Sequence, residues 1–470
     1  MPILKERGYF WWAEEQVLPG KQMPETAFVA GELTIGDDGR VTLNLDGAFV
    51  RPGGLRNQTI KAHKKNYDFK EYGICGILNN KHNKVFLHGL MEGFLYQNYQ
   101  VRDCFIGTKL FPYNEGNFLF NEMTVSLQGY EGWLCMNDLK FSGGEKEFSV
   151  TYKAPSNHQY PMDWGTLSLE FDISAPFYTT ATDELLLKQT GFFKYAFDAA
   201  QPLSVIQKKH RLLNDLLVLL TNSERQLEWP TVFVGDGYIP YKYYFGRLAH
   251  TESEPQQHEC WVVFSTIQET FGQLFSSWEI KHDTFGSGFY LYLATRRGVP
   301  GFIEARFLDL MMGLESFHRH KHSDMRDEEA VSMRETILAK IDDQVEHKWL
   351  CERLQWSHEP TAKKRLLQTL SELSLDINPR RLKVFAYRCV EARNSITHST
   401  DDRMKTDSWK VLSDLDQKSD ALARLYHLLL LHEIGVAKLI LDDIFKRRFE
   451  IRVPLASVGL ISENAQALAG

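Results

Sequence analysis

The stretch NPRRLKVFAYRCVEARNSITHST, residues 378–400, decides how the last third of the chain is read. Asn378 is a helix-capping residue, and Pro379 stands at the first helical position, where a missing N–H costs nothing. Leu382, Phe385, Cys389, Ala392 and Ile396 then recur at steps of three and four, which predicts a helix with that stripe buried. Arg393 shares spacing with Ala386, Cys389, Val390 and Ile396, so it is expected beside the apolar side. A guanidinium there needs a carboxylate or an anion, because an unpaired buried charge is costly. His398 lies further on, ~140° around an ideal helix. Either the helix breaks near Ser395, as the Ser/Thr-rich run and Asp401-Asp402 suggest, or a second subunit completes the site.

Working outward, three more segments carry helical periodicity: EARFLDLMMGLESFHRH (304–320), TAKKRLLQTLSELSL (361–375) and WKVLSDLDQKSDALARLYHLLLLHEI (409–434). In the first, Phe307, Met311, Leu314 and Phe317 form the stripe, and Glu315 sits one position off it, a candidate partner for Arg393. Short connections imply an antiparallel bundle. Upstream the period changes. GELTIGDDGRVTLNLDGAF (31–49) alternates Leu33, Ile35, Val41, Leu43 and Leu45 around Asp37-Asp38-Gly39, the pattern of a β-hairpin. YGICGIL, KVFLHGL, VRDCFIG, FNEMTVSL, KEFSVTYKA and TLSLEFDIS are further strand candidates, which suggests an antiparallel sandwich or barrel. PLSVIQKKHRLLNDLLVLL (202–220) predicts a helix, followed by strand-like WPTVFVGDG and YIPYKYYFG; from about residue 260 the chain reads as helical.

The expected architecture is therefore an α+β multidomain protein. A β-rich antiparallel domain spans residues 1–180, a mixed helical and strand connecting region spans 181–300, and an all-α bundle spans 301–470, with RRGVPG (296–301) as the link into the bundle. No repeat of 20–50 residues is visible.

Composition excludes several classes. A 43% apolar and 24% charged chain of 470 residues is that of an ordinary globular protein. Its net charge of −7 argues against binding polyanions by bulk charge, though a compact cationic site still holds a phosphate. The six cysteines are scattered with no C-x-x-C pair, against a structural zinc or a disulfide framework and in keeping with a reduced, cytoplasmic setting. MPILKERGYFWW has no signal-peptide core, and LYHLLLLHEIGVAKLI is interrupted by His427, His432, Glu433 and Lys438, so no membrane span is expected. Gly-rich phosphate loops, G-x-S-x-G and H-E-x-x-H are absent, so no cofactor is indicated.

An Arg–His pair without metal suits RNA cleavage by its own 2′-hydroxyl. Histidine moves a proton near neutral pH, and arginine grips phosphate oxygens with its fork. One histidine covers one proton transfer, whereas a symmetric dimer supplies two. His318, Arg319 and His320, in the HRHKH tract, fall near a helix end, where cations suit the dipole. They are expected as a solvated or RNA-facing cluster rather than a metal site. Glu279-Ile280-Lys281, with Asp236 upstream, has the E-x-K form of metal-dependent nucleases and is an alternative.

RNSITH (393–398) resembles the Arg-x(4–6)-His motif of HEPN-domain ribonucleases, with the polar Asn394 after the arginine. ARFLDLMMGLES and YRCVEARNSITHST resemble the C-terminal HEPN domain of ApeA-type anti-phage proteins. ERGYFWW, VAGELTIGDDGRVTLNLDG and NEMTVSLQGYEGWL look like that family's β-rich N-terminal domain. The resemblance implies Arg393 and His398 as the catalytic pair and Asn394 as an orienting group. It implies metal-independent RNase action on host RNA, tRNA above all, in abortive infection, and dimerisation through the HEPN helices. A phage-derived trigger acting through the N-terminal region is expected from the architecture. A non-catalytic HEPN dimerisation or sensor protein is the other reading.

Overall fold

The structure is a computed structural model. It describes residues 2–15, 17, 21–24, 28–49, 70–80, 82–92, 97–112, 118–136, 139–144, 147–174, 188–235, 237–247, 253–296, 302–397 and 408–462. Two compact units divide the chain, Met1–Gly272 and Gln273–Gly470.

Among the described residues the first unit holds fourteen strands: β1 (Leu4–Trp12), β2 (Val29–Ile35), β3 (Val41–Leu45), β4 (Lys70–Leu78), β5 (Lys84–Glu92), β6 (Asn98–Gly107), β7 (Leu119–Ser126), β8 (Leu139–Gly144), β9 (Glu147–Tyr152), β10 (His158–Met162), β11 (Gly165–Ser174), β12 (Lys188–Pro202), β13 (Thr231–Val234) and β14 (Ile239–Phe245). Helices α1 (Glu131–Leu134), α2 (Leu203–Thr221) and α3 (Phe264–Ile267) lie among them. All pairings are antiparallel.

The hairpin expected at Asp37-Asp38-Gly39 forms, with Ile35 opposite Val41 and Leu33 opposite Leu43. Gly39 takes φ 72°, which an L side chain adopts poorly. Strands β1, β2, β3, β6, β5 and β4 then close on themselves, because β6 pairs with both β3 and β5. Alternate residues point inward in such a ring. Phe10, Leu33, Leu43, Ile74, Leu87 and Val101 meet there as a buried core.

Strand β6 does double service. Asn98–Val101 pair with β3, whereas Asp103–Gly107 pair with β14. From β14 the sheet continues through β13, β7, β12 and β11 to β10, and β8 with β9 makes a separate pair. Thus β12, β13 and β14 belong to the same sheet as the strands before residue 180, and the first unit runs through the expected connecting region to Gly272. The reason is non-local: the helical period of α2 interrupts the strand pattern in sequence, but the strands after it return to β7 and β6.

Asp103 marks the place where β6, still paired with β5, exchanges β3 for β14 on its other side. It is fully buried. The Tyr243 hydroxyl donates to Oδ1 at 2.6 Å, Gln207 Nε2 donates to Oδ1 at 3.1 Å, and Arg102 Nε donates to Oδ2 at 2.8 Å. Burial pushes this carboxyl's pKa up, but His88, Tyr243 and Arg102 outweigh it and hold it below the usual carboxylate range.

The second unit is helical: α4 (Phe271–Thr284, beginning at the boundary), α5 (Ser287–Arg296), α6 (Ile303–Lys321), α7 (Glu328–Leu338), α8 (Gln344–Arg353), α9 (Ala362–Ser371), α10 (Pro379–Thr397), α11 (Ser408–Glu433), α12 (Lys438–Arg447) and α13 (Phe449–Ser457). Helix α6 is central and packs on α5, α9, α10 and α11. Glycines allow the closest approach. A Cβ on Gly288 would stand 2.7 Å from the Gly313 carbonyl and 2.9 Å from the Tyr426 hydroxyl. Among the described residues, no helix is long and apolar enough to cross a membrane.

Replacing Asp103 by Ala strands Tyr243 and Gln207 and is expected to cost about 2–3 kcal/mol, read as a lower denaturant midpoint. The carboxylate's contribution is present above an unfolded-state pKa of about 3.9 and is lost as pH falls through the lower folded value. The gap between wild type and Asp103→Ala should therefore close in acid, and a gap independent of pH would refute this account of the seam.

Candidate active site

Helix α10 starts as its sequence requires: Asn378 Oδ1 accepts from the backbone N–H groups of Arg380 (2.9 Å) and Arg381 (3.4 Å). Leu382, Phe385, Ala386, Cys389 and Val390 are buried, while Ala392 and Ile396, expected on the same stripe, are half-buried. The helix does not break at Ser395. It runs to Thr397, whose hydroxyl donates back to the carbonyls of Arg393 (3.0 Å) and Asn394 (3.3 Å). Such back-bonding gives the Thr397 hydroxyl acceptors within its own helix. His398 follows at once and lies outside the described residues.

Arg393 is half-buried on the side facing α6, as its spacing predicted. Its Nη2 stands 3.6 Å from Glu315 Oε2, and its Nη1 donates to Asn394 Oδ1 at 3.1 Å. The contact with Glu315 is single and longer than the ~2.8 Å of a charge-assisted hydrogen bond. The other oxygen of Glu315, Oε1, is buried and has no hydrogen-bond partner among the described residues. Three of the sequence-derived residues, Arg393, Asn394 and Glu315, are thus brought together on α10 and α6.

The HRHKH tract is corrected. His318 is buried, with Nε2 3.2 Å from Gln368 Oε1, and burial lowers its pKa. It is therefore no surface RNA contact: counted from Phe307, Met311 and Leu314, position 318 is the next on the inward stripe. Arg319 pairs with Glu359 at 3.1 Å, and exposed His320 has Nδ1 2.8 Å from the Ser316 carbonyl. Lys321 and His322 pair with Glu372 at 2.6 and 2.8 Å. The cations of this tract are largely matched by carboxylates of the bundle.

The E-x-K alternative also fails on geometry. Glu279 and Lys281 lie on helix α4, where residues two apart diverge by ~200°. Lys281 faces Glu433 at 3.6 Å. Asp236 is outside the described residues. Missed in the sequence was the basic flank of α10. The ammonium groups of Lys363 and Lys383 stand 4.9 and 5.6 Å from the ring of Tyr387, and Lys363 pairs with Glu391 at 3.0 Å. The spacing of Tyr387, Glu391 and Asn394 along one helix face is the signal that was there.

A β-barrel unit followed by a helical bundle, with a half-buried arginine near the end of a bundle helix and a histidine just after it, defines a two-domain protein with a C-terminal HEPN bundle. The family models agree: ApeA N-terminal domain 1 matches residues 5–278, more than half of the chain, and Apea-like HEPN matches residues 308–438. The chain belongs to the ApeA-type anti-phage family, in which a defence-associated HEPN domain follows a β-rich domain. No curated protein and no solved structure matches it.

His318→Ala should destabilise the helical unit by about 1–3 kcal/mol, because it empties a packed site and strands Gln368. Thermal denaturation of the full chain reads this, and an unchanged midpoint would return His318 to the surface.

Proposed function

We propose that the chain is a metal-independent endoribonuclease of anti-phage defence, acting in the cytoplasm on host RNA, tRNA above all. The observation that carries this reading is the state of Arg393. Among the described residues one loose ionic contact and one neutral hydrogen bond hold it, and against these most of its N–H donors stay available for a phosphate. In the proposed reaction a base removes the proton of the RNA 2′-hydroxyl. The 2′-oxygen bonds to phosphorus, the P–O5′ bond breaks, and an acid protonates the leaving oxygen. The products are a 2′,3′-cyclic phosphate and a free 5′-hydroxyl. His398 serves one proton transfer and the same residue of a second copy the other, which makes the working unit a dimer. Arg393 neutralises the non-bridging oxygens as charge builds on phosphorus. Glu315 and Asn394 are positioning residues for Arg393. Support comes from the HEPN match and from the placing of Arg393 by α6 and α10. The N-terminal unit is proposed to receive the phage-derived trigger.

Cleavage of total tRNA in EDTA tests the reading. Wild type should yield cyclic-phosphate ends, and Arg393→Ala and His398→Ala should each lose at least ~100-fold in rate. Cleavage that survives in both variants would remove the pair from the mechanism. No cleavage by wild type, even in extract of phage-infected cells, would favour a non-catalytic HEPN scaffold.

Glu315→Gln keeps the shape but removes the charge that holds Arg393. The cleavage rate should fall about tenfold, ~1.4 kcal/mol in the barrier, with the mass of the particle unchanged. Full activity would show that Glu315 is an ordinary structural acid.

A further inference from the structure

Between α6 and α9 the chain makes a helical hairpin, α7 and α8, that the bundle does not cover. Both helices are firmly capped: Asp327 accepts from Ala330 N–H, and Asp343 accepts from the N–H groups of Val345 and Glu346. Yet no residue from 323 to 359 is buried. The hairpin's own seam half-covers Val331, Leu338, Leu350 and Leu354. The opposite side of α8 shows Val345 at 77% and Trp349 at 57% exposed, with Trp356 at 65% in the turn that follows. Solvent-facing tryptophans at an apolar stripe mark a binding face.

The charges beside that stripe indicate what covers it. By the ~100° step of a helix, Glu346 and Arg353 lie on one flank of Val345 and Trp349, and Lys348 and Glu352 lie on the other. Among the described residues none of these four has an ion-pair partner, although Arg353 lies 5.5 Å over the Trp349 ring. When two copies of one helix pack antiparallel about a two-fold axis, like flanks meet. Glu346 then faces Arg353 of the second copy, and Lys348 faces its Glu352, each twice. Both matches need the same axis position, beside Trp349 and Leu350, and that position sets the two tryptophans against each other. An acidic partner or RNA is a poorer fit, since carboxylates outnumber Lys and Arg two to one over 327–358.

We propose that α8 is a self-complementary docking surface whose occupant is α8 of a second copy of this chain. The inference deepens the dimer on which the proposed function rests, by naming where the copies meet. The hairpin is rooted at the right place: Asp327 pairs with Lys364 at 2.7 Å, and the adjacent Lys363 pairs with Glu391, two residues before Arg393, at 3.0 Å. Pairing through α8 therefore ties the second copy to the end of α10 that carries Arg393.

The test is sedimentation equilibrium of the full chain. Glu346→Lys alone or Arg353→Glu alone sets like charges together twice and should weaken self-association at least ~10-fold. The double variant Glu346→Lys/Arg353→Glu restores opposite charges and should recover dimerisation. Both sites are exposed, so folding is not at stake. The proposal is overturned if the wild type stays monomeric, if all variants dimerise equally, or if the double variant fails to recover. It is also overturned if Trp349→Ala lowers RNA affinity while the mass stays dimeric, which would make the face an RNA surface. Cleavage is read separately: charge swaps that behave as stated in a chain that cuts no RNA would uphold the interface and remove the ribonuclease reading.

Discussion

Everything in the helical unit depends on burying α6 on several sides at once. A helix touched by α5, α9, α10 and α11 needs small residues where the neighbours come nearest, and Gly288 and Gly313 stand there against Tyr426. The Tyr426 hydroxyl is buried without a hydrogen-bond partner among the described residues, and burial pushes its pKa up. A lost hydrogen bond of that kind costs about 1–3 kcal/mol, which ring burial of comparable size offsets. The consequence reaches the candidate site. Leu314 is locked inside, and the next residue, Glu315, brings its carboxylate to within 3.6 Å of Arg393 on α10.

The N-terminal unit solves a different problem, an edge problem. Six strands close and lose their edges, which removes a pairing hazard. Strand β6 then exchanges β3 for β14 as a neighbour along its second half, and Asp103 is the buried polar group at that exchange. A carboxylate so placed is tolerable only with several donors converging on it, and Tyr243, Gln207 and Arg102 come from three separate segments to supply them. Arg102 is the neighbour of Asp103, but Gln207 and Tyr243 lie 104 and 140 positions away, so the seam ties the strands up to residue 245 into the same unit as those before 180.

Much of this was legible where the signal is local. Alternation around Asp37-Asp38-Gly39 located β2 and β3, the Asn378-Pro379 start located α10, and the apolar steps of 307, 311, 314 and 317 located the buried face of α6. The near approach of Glu315 to Arg393 followed from two helical phases and a charge that needs a counter-charge. What failed was non-local or compositional. Closure of the ring is a matter of which strands meet, and no spacing states it. The length of β12 was hidden between a β-rich and a helical segment. His318 was misjudged because the tract HRHKH looks polar as a string, although its phase on α6 places it inside.

The arginine's surroundings argue for a group that is held but not consumed. A bidentate carboxylate would satisfy the guanidinium fork and leave a phosphate nothing to displace it with. A bare guanidinium at a half-buried position would be held back by its unpaired charge. The single 3.6 Å contact with Glu315, and the neutral acceptor of Asn394, lie between these extremes. The pair keeps the local charge near zero while the site is empty. On the proposed function, a phosphate would give the guanidinium a stronger partner without first breaking a strong one. The helix meanwhile stays intact through Thr397, so the backbone on both sides of Arg393 is held by helical hydrogen bonds. Packing of α10 against α6 and the unbroken helix through Thr397 are two halves of one arrangement: together they fix where the Arg393 guanidinium stands before anything binds to it.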